Sequence, residues 1–249
     1  MTTNAIDRNK MIVTSDGRWS IPLPNELHPT HVLYVDDTGF EKIISSEIAT
    51  LVFAGDSVLI SEWKTWFNSE RRDLNAIPPT ERDTGRGLAD INICIITPAG
   101  RVLFDRGLCL THGENARFAG SGAIYARDCF GKNGCSIRAI DTAGLSDPYT
   151  GGTTKYVELH SGISNLTTVE ATLQEAEQQL NERGLLMELA TGRITPFKDA
   201  QDSKDDAMQA LKNGANLSAP TGQPSRKWTD DEKLSLRAAI EEVMGSKPL

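Results

Sequence analysis

The sequence predicts a layered α+β fold, and three observations carry that expectation. Short β-branched runs separated by Gly, Pro and Asp turns fill the chain from its start to Ala54. At Ser57 the apolar period switches from two to between three and four residues. From there strands and helices come in blocks rather than in alternation, which disfavours a parallel βαβ sheet.

The elements follow in order. Met11-Ile12-Val13 reads as a strand, Ser15-Asp16-Gly17 as its turn and Arg18 to Ile21 as the returning strand. Pro22, Pro24 and Pro29 mark a loop, because proline removes an N–H and fixes φ. His31 to Val35, Phe40 to Ser45 and Ile48 to Ala54 are three further strands, the first ending in the turn Asp36-Asp37-Thr38-Gly39. Leu59, Ile60, Trp63, Trp66 and Phe67 share one face of a helix, suited to a core or a subunit interface. The charged stretch Asn68 to Gly87, with Pro78-Pro79, reads as a loop. Ala89 to Thr97, Pro98-Ala99-Gly100 and Arg101 to Asp105 make strand, turn and strand. Two helices separated at Gly131 to Gly134 lie within Phe118 to Gly152, and Lys155 to Leu159 is a strand. Thr168 to Glu182 reads as a helix with Val169, Leu173, Ala176 and Leu180 on one side.

The sequence divides into a main domain over residues 1–190, a largely irregular linker over 191–226 and a C-terminal helix over 227–249. Pro196, Pro220, Pro224 and many charges mark the linker, which holds one short helical pattern from Asp205 to Lys212. Thr229-Asp230-Asp231-Glu232 is a capping box with acidic residues at the positive end of the helix dipole. Leu234, Leu236, Ala239, Ile240 and Val243 then give the helix an apolar side, expected to pack on its own domain, with a docking element as the alternative. On this reading, truncation after Ala190 leaves the fold intact.

Composition narrows the function. A net charge of -8 argues against nucleic-acid binding. Cys94, Cys109, Cys129 and Cys135 form no CxxC pair and histidine is scarce, so neither a metal site nor a cofactor is expected. Reduced thiols, a polar N-terminus and the lack of a long apolar run suit a cytoplasmic protein without a membrane partner.

The chain begins Met1-Thr2-Thr3, and Phe118 to Gly152 supplies a Gly-Ser-Gly turn, two helices and a second polar turn. These can bring Ser121, Asp147 and Thr150 to one sheet edge. A threonine hydroxyl needs an adjacent base to act as a nucleophile. Removal of Met1 would expose an α-amine at Thr2, with pKa about 7.7–8.0, able to take that proton. Lys42 would keep the site electropositive, Asp16 would orient Lys42, and the Gly55 N–H would meet a tetrahedral oxyanion. Taken singly, each has a plainer role: Asp16-Gly17 a turn, Lys42 a surface lysine, Ser121 and Asp147 helix caps.

Taken in order, Met-Thr-Thr, Asp16-Gly17, Lys42, Phe53-Ala54-Gly55, Gly120-Ser121-Gly122-x-x-Tyr125-Ala126 and Asp147-x-x-x-Gly151-Gly152 resemble a proteasome β-type subunit. The chain is most similar to the bacterial HslV-type peptidase subunit over roughly residues 1–190. The resemblance implies a four-layer αββα sandwich of two antiparallel sheets between helix layers, with a C-terminal extension here. It implies Thr2 as nucleophile, Asp16 and Lys42 as its supporting pair, and Gly55 as oxyanion donor. Ser121, Asp147 and Thr150 would hold the α-amine, with threonine at 150 where serine is common. It further implies a polypeptide substrate, a homo-oligomeric ring and an ATP-dependent unfoldase partner. The Thr2-to-Asp16 segment is about two residues short against the family pattern and the Asp16-to-Lys42 segment is longer. The stretch beyond Ala190 has no counterpart in the simple bacterial subunits. Two other readings use the same fold: a non-catalytic scaffold or binding protein, and an N-terminal-nucleophile amidohydrolase acting on a small amide. The Gly-Ser-Gly turn lacks the Gly-Lys-Ser/Thr ending of a phosphate-binding loop.

Overall fold

The computed structural model describes residues 2–25, 27–85, 87–107, 110–200 and 215–245. Two antiparallel sheets face each other. The smaller holds β1 (Thr3–Asp7), β2 (Ile12–Ser15), β10 (Leu110–His112), β11 (Ala116–Gly120) and β12 (Lys155–Glu158), in the order β10-β11-β1-β2-β12. The larger contains β3 (Arg18–Leu23), β4 (His31–Asp36), β6 (Thr50–Asp56), β7 (Glu81–Asp83), β8 (Leu88–Ile96), β13 (Leu185–Glu188), β14 (Ile194–Pro196) and β15 (Ser218–Ala219). Its order is β14-β13-β4-β3-β15-β6-β8-β7, with β5 (Ile43–Ser45) beside β6 and β9 (Val102–Asp105) beside β8.

Alternation along the strands makes the layers. Ile6 and Val13 of the small sheet meet Ile43, Val52, Cys94 and Ile96 of the large one in a core between the sheets. The opposite face of the small sheet, through Ala5 and Phe118, packs on α2 (Ala123–Asn133) and α3 (Ser136–Gly144). Leu51, Phe53, Ile91, Ile93 and Ile95 point the other way from the large sheet, toward α1 (Ser57–Asn68), α4 (Leu173–Arg183) and α6 (Asp230–Gly245). A short α5 (Phe197–Ala200) adds Phe197 to that core. The result is the α+β fold, with two antiparallel sheets between helix layers.

Aromatic packing on α1 follows the sequence pattern: Trp63 and Phe67 are buried in the core. The two helices within Phe118–Gly152 are present, divided where Gly134 adopts a left-handed φ of 62°. Helix α4 starts later than the pattern suggested, at the capping box of Thr172 and Glu175, which leaves Val169 82% exposed.

Three features differ from the sequence reading. Strands β1 and β11 were hidden by polar or glycine-containing sequence, β13 is a four-residue apolar run too short to stand out after α4, and β3 continues through Pro22 into the expected loop. The 191–226 segment is not simply irregular, since it supplies β14, α5 and β15. The stretch beyond Ala190 is also integral to the fold: Leu217, Ala219, Trp228, Leu236, Ala239, Ile240 and Val243 all lie in the largest core. Truncation after Ala190 would therefore strip that core. Cys109 and the helical pattern from Asp205 to Lys212 lie outside the described residues.

Candidate active site

Strand β1 sorts the first residues by parity. Ile6 faces the large sheet, and the Asn4 side chain crosses to donate 3.0 Å to the Phe53 carbonyl. Thr2 falls on that same face, while Thr3 and Ala5 turn toward the α2–α3 layer.

Thr2 Oγ sits between an acid and a base. It donates to Asp16 Oδ1 and accepts from Lys42 Nζ at 2.7 Å. Lys42 also donates to Asp16 Oδ1 at 2.8 Å, which closes a triangle of side chains with every member buried. Asp16 is held by the backbone around it. Its Oδ1 takes the Thr3 N–H at 2.9 Å, and its Oδ2 takes the N–H groups of Arg18 and Gly151 at 3.1 and 3.2 Å. Such a carboxylate is fixed in place. Burial pushes the Lys42 ammonium below the ordinary lysine value, and the charge of Asp16 pulls against that fall.

Gly55 lies near the end of β6, the strand that is bonded to the Lys42 backbone. The Phe53 N–H donates to the Lys42 carbonyl at 2.9 Å, and the Ser57 N–H to the Leu217 carbonyl at 3.3 Å. Backbone groups alternate sides along a strand, so the Gly55 N–H points the same way, between those two. The conformation requires glycine: φ is 113°, and a Cβ would stand 2.3 Å from the Asp90 carbonyl oxygen.

Ser121, Asp147 and Thr150 form a second cluster. Asp147 Oδ2 accepts from Ser121 Oγ and, at 2.6 Å, from Thr150 Oγ1. Thr150 Oγ1 in turn meets Thr3 Oγ1 at 2.6 Å. The cluster thus reaches the first strand through Thr3, whereas the Thr2 N–H donates to the Pro220 carbonyl at 2.8 Å. The expected partner of the cluster is the α-amine freed by removal of Met1; the Thr2 nitrogen is here a peptide N–H, and its acceptor is the Pro220 carbonyl.

Gly120 explains the Gly-Ser-Gly turn. A Cβ there would lie 1.6 Å from the Thr2 carbonyl oxygen, and φ is 91°. Only glycine lets β11 end against the second residue of the chain. Gly122 is equally confined by Thr3 Oγ1 and Thr150 Oγ1.

Sequence reasoning passed over Thr3 and Arg18. The Arg18 guanidinium makes a bidentate pair with Asp36 at 2.8 and 2.9 Å, donates to the Pro148 carbonyl at 2.7 Å and covers the Tyr34 ring. It ties the Asp16-Gly17 turn to the Asp147–Gly151 loop. Its position beside Asp16-Gly17 was the only available signal. Among the described residues, no cluster of His, Cys, Asp and Glu is arranged to hold a metal ion. In the same residues no helix is long and apolar enough to cross a membrane.

No family model and no curated protein matches the sequence. Among solved structures, the chain is similar to the BPH protein of Thiobacillus denitrificans, solved in complex with epoxomicin. The two are 12% identical, the match covers 62% of this chain and 96% of that one, and the TM-score is 0.38. At that score the likeness supports no assignment, and the site has to be read from its own atoms.

Proposed function

We propose that this chain is a threonine peptidase of the proteasome type, armed when Met1 is removed. The observation that carries the reading is the buried triangle of Thr2 Oγ, Lys42 Nζ and Asp16 Oδ1. A threonine hydroxyl on a structural strand has no need of a buried lysine and a buried aspartate, each of which is costly to desolvate.

In the proposed reaction Thr2 Oγ bonds to the carbonyl carbon of a peptide and its proton passes to the Thr2 α-amine. Lys42 stabilises the developing oxyanionic character at Oγ, and the Gly55 N–H receives the carbonyl oxygen as it becomes an oxyanion. The C–N bond then breaks, and the leaving amine takes the proton from the α-amine. Water attacks the resulting threonyl ester with the amine as base, which releases the acid and restores Thr2. Asp16 holds Lys42 and Thr2 in place.

The reading also carries a homo-oligomeric ring served by an ATP-dependent unfoldase. Ile124, Tyr125 and Leu145 stand exposed on the α2–α3 layer, an apolar surface that a second copy would cover. Light scattering tests the assembly: a monomer at all concentrations removes the ring from the proposal.

Intact mass and covalent labelling test the chemistry. Loss of Met1 and single-site labelling by a peptide epoxyketone, abolished in Thr2→Ala, are the expected results. Met1 retained in freshly purified protein that hydrolyses peptides, or labelling that persists in Thr2→Ala, overturns Thr2 as nucleophile.

A further inference from the structure

The large sheet is continuous only because of two residues from the far end of the chain. Between β3 and β6 lies β15, Ser218–Ala219, paired antiparallel to both: Ser218 with Ser20 on one side, Ser218 with Asp56 and Ala219 with Gly55 on the other. Without it, β3 and β6 would present two unpaired edges facing each other across a slot one strand wide. Such edges are templates for an added strand.

The position of this strand relative to the site gives it meaning. Ser57 N–H bonds to the Leu217 carbonyl, so by antiparallel alternation Ala219 is the next residue to exchange bonds with β6, opposite Gly55. The carbonyl facing the Gly55 N–H is therefore that of Ala219. One residue on, the Pro220 carbonyl takes the Thr2 N–H. Gly222 then runs against Ser121, where a Cβ would stand 3.2 Å from the Ser121 nitrogen. Ser218 Oγ adds a bond of 3.1 Å to the Ser20 carbonyl. The chain thus lays an extended segment of itself past the oxyanion donor, the Thr2 backbone and the Ser121 cluster in turn.

The geometry points to residues 217–222 as a built-in competitor that occupies the peptide-binding slot of the enzyme, so that an extended substrate strand must displace it. The inference rests on the peptidase reading and adds the substrate's form. The residue offering the attacked carbonyl is small, where Ala219 is fully buried, and the residue two before it is apolar, where Leu217 enters the core. The side chain between them is polar and faces the other way, as Ser218 does. Pro220 after the carbonyl has no N–H, so one backbone bond available to an ordinary peptide is missing there. Beside the segment a cleft of about 560 Å³, bordered by Pro22, Asp90, Tyr149 and Pro220, leaves a polypeptide room to approach.

The test separates the slot from the chemistry. A fluorescein-labelled peptide, Ala-Asn-Leu-Ser-Ala-Pro-Thr-Gly, is titrated into the full chain carrying Thr2→Ala, with and without Ala219→Pro, and binding is read by anisotropy. Ala219→Pro removes the N–H that pairs with Gly55 and releases the segment, so at least ten-fold tighter binding is expected. As a second variant, Ser20→Cys with Ser218→Cys locks the segment by a disulfide: binding is lost when oxidised and returns on reduction. Equal affinity in the parent and Ala219→Pro proteins, or unchanged binding to the oxidised lock, overturns the competitor. If Ala219→Pro fails to fold, the lock alone decides. With Thr2 restored, a Leu-Ser-Ala coumarylamide is expected to be hydrolysed faster by Ala219→Pro than by the parent. Binding with no hydrolysis in any form defeats the peptidase reading and leaves the slot standing. An intact mass showing cleavage between Ala219 and Pro220 makes the segment a substrate and overturns its role as competitor.

Discussion

Replacing Trp228 with alanine asks whether the C-terminal part of the chain is a structural member or an appendage. Trp228 precedes α6 and is almost fully buried. Its ring stacks on Phe104 with centroids 5.6 Å apart, and its Nε1 donates 3.2 Å to the Ile91 carbonyl in the middle of β8. The Arg106 guanidinium lies 4.6 Å from the ring centroid. Truncating a buried tryptophan costs about 3–5 kcal/mol in transfer and cavity terms. Loss of the arginine contact adds about 0.5–1 kcal/mol. The sum, about 3.5–6 kcal/mol, is a large part of the roughly 5–15 kcal/mol that holds a domain together. Urea unfolding followed by circular dichroism reads it directly. With a slope of about 3 kcal/mol/M, the midpoint falls by about 1.5 M. Leu234→Ala is the control: Leu234 is 65% exposed on the same helix, and its loss shifts stability by less than about 0.5 kcal/mol. A midpoint shift below about 0.3 M for Trp228→Ala, at unchanged slope, would refute the account of α6 as part of the core.

Four further outcomes are expected. Lys42→Met leaves Asp16 with its backbone donors but without its cation; it lowers peptide turnover by about 10²–10³-fold and stability by about 2–4 kcal/mol. In the parent, turnover should rise with pH as the α-amine deprotonates and fall once Lys42 loses its proton, so a profile flat from pH 6 to 9 contradicts the assigned roles. Gly120→Ala drives a methyl into the Thr2 carbonyl and shifts the nucleophile, at a cost of about 10²-fold in rate, while Gly134→Ala, with open space around it, leaves the rate unchanged. Glu232 is held at a pKa of about 2, chiefly by Arg226 and also by the Thr229 N–H. Its folded value lies below the ordinary one, so its stabilisation is present above about pH 4.5 and lost as pH falls toward 2. The pair is partly exposed, so about 1 kcal/mol is expected, and acid titration of Glu232→Gln should lack that component of the fall.

The fold was legible where apolar periodicity was strong. Helix α1 announces itself because one face of it is buried, and strands β4, β6 and β8 because burial on both faces makes them short, nearly continuous apolar runs. Strand β1 does not, since Thr3, Asn4 and Asp7 are polar yet buried; the Thr3 and Asn4 side chains reach Thr150 and Phe53 far along the chain, and Asp7 turns back to the Asn9 N–H. Asp16 and Lys42 became candidates through their order in the sequence, while the hydrogen bonds joining them to Thr2 span 14 to 40 residues and leave no local pattern. Thr3 escaped notice because its role depends on the parity of β1. Ser218–Ala219 was the least legible of all. Its surroundings are rich in proline and glycine and read as an irregular linker, and only the gap between β3 and β6 makes a strand of it.

That gap sets the energetics of the site. Withdrawing residues 217–222 exposes Leu217 and Ala219, worth about 2–4 kcal/mol of apolar burial. It also breaks backbone bonds to β3, β6 and Thr2, each worth about 0.5–1.5 kcal/mol. An incoming extended peptide remakes the same bonds on the same edges, so the exchange is nearly balanced in contacts. What remains is concentration, because the segment is tethered on both sides, by β14 and α5 before it and by α6 after it, and competes as if present at about millimolar level. A free peptide must therefore approach that level, or present a better side chain where Leu217 sits, to reach Thr2. A polypeptide delivered and held at the cleft by a partner meets the condition without tighter contacts. The competitor thus selects for tethered substrates over diffusing ones, while the same two residues keep the large sheet whole between turnovers.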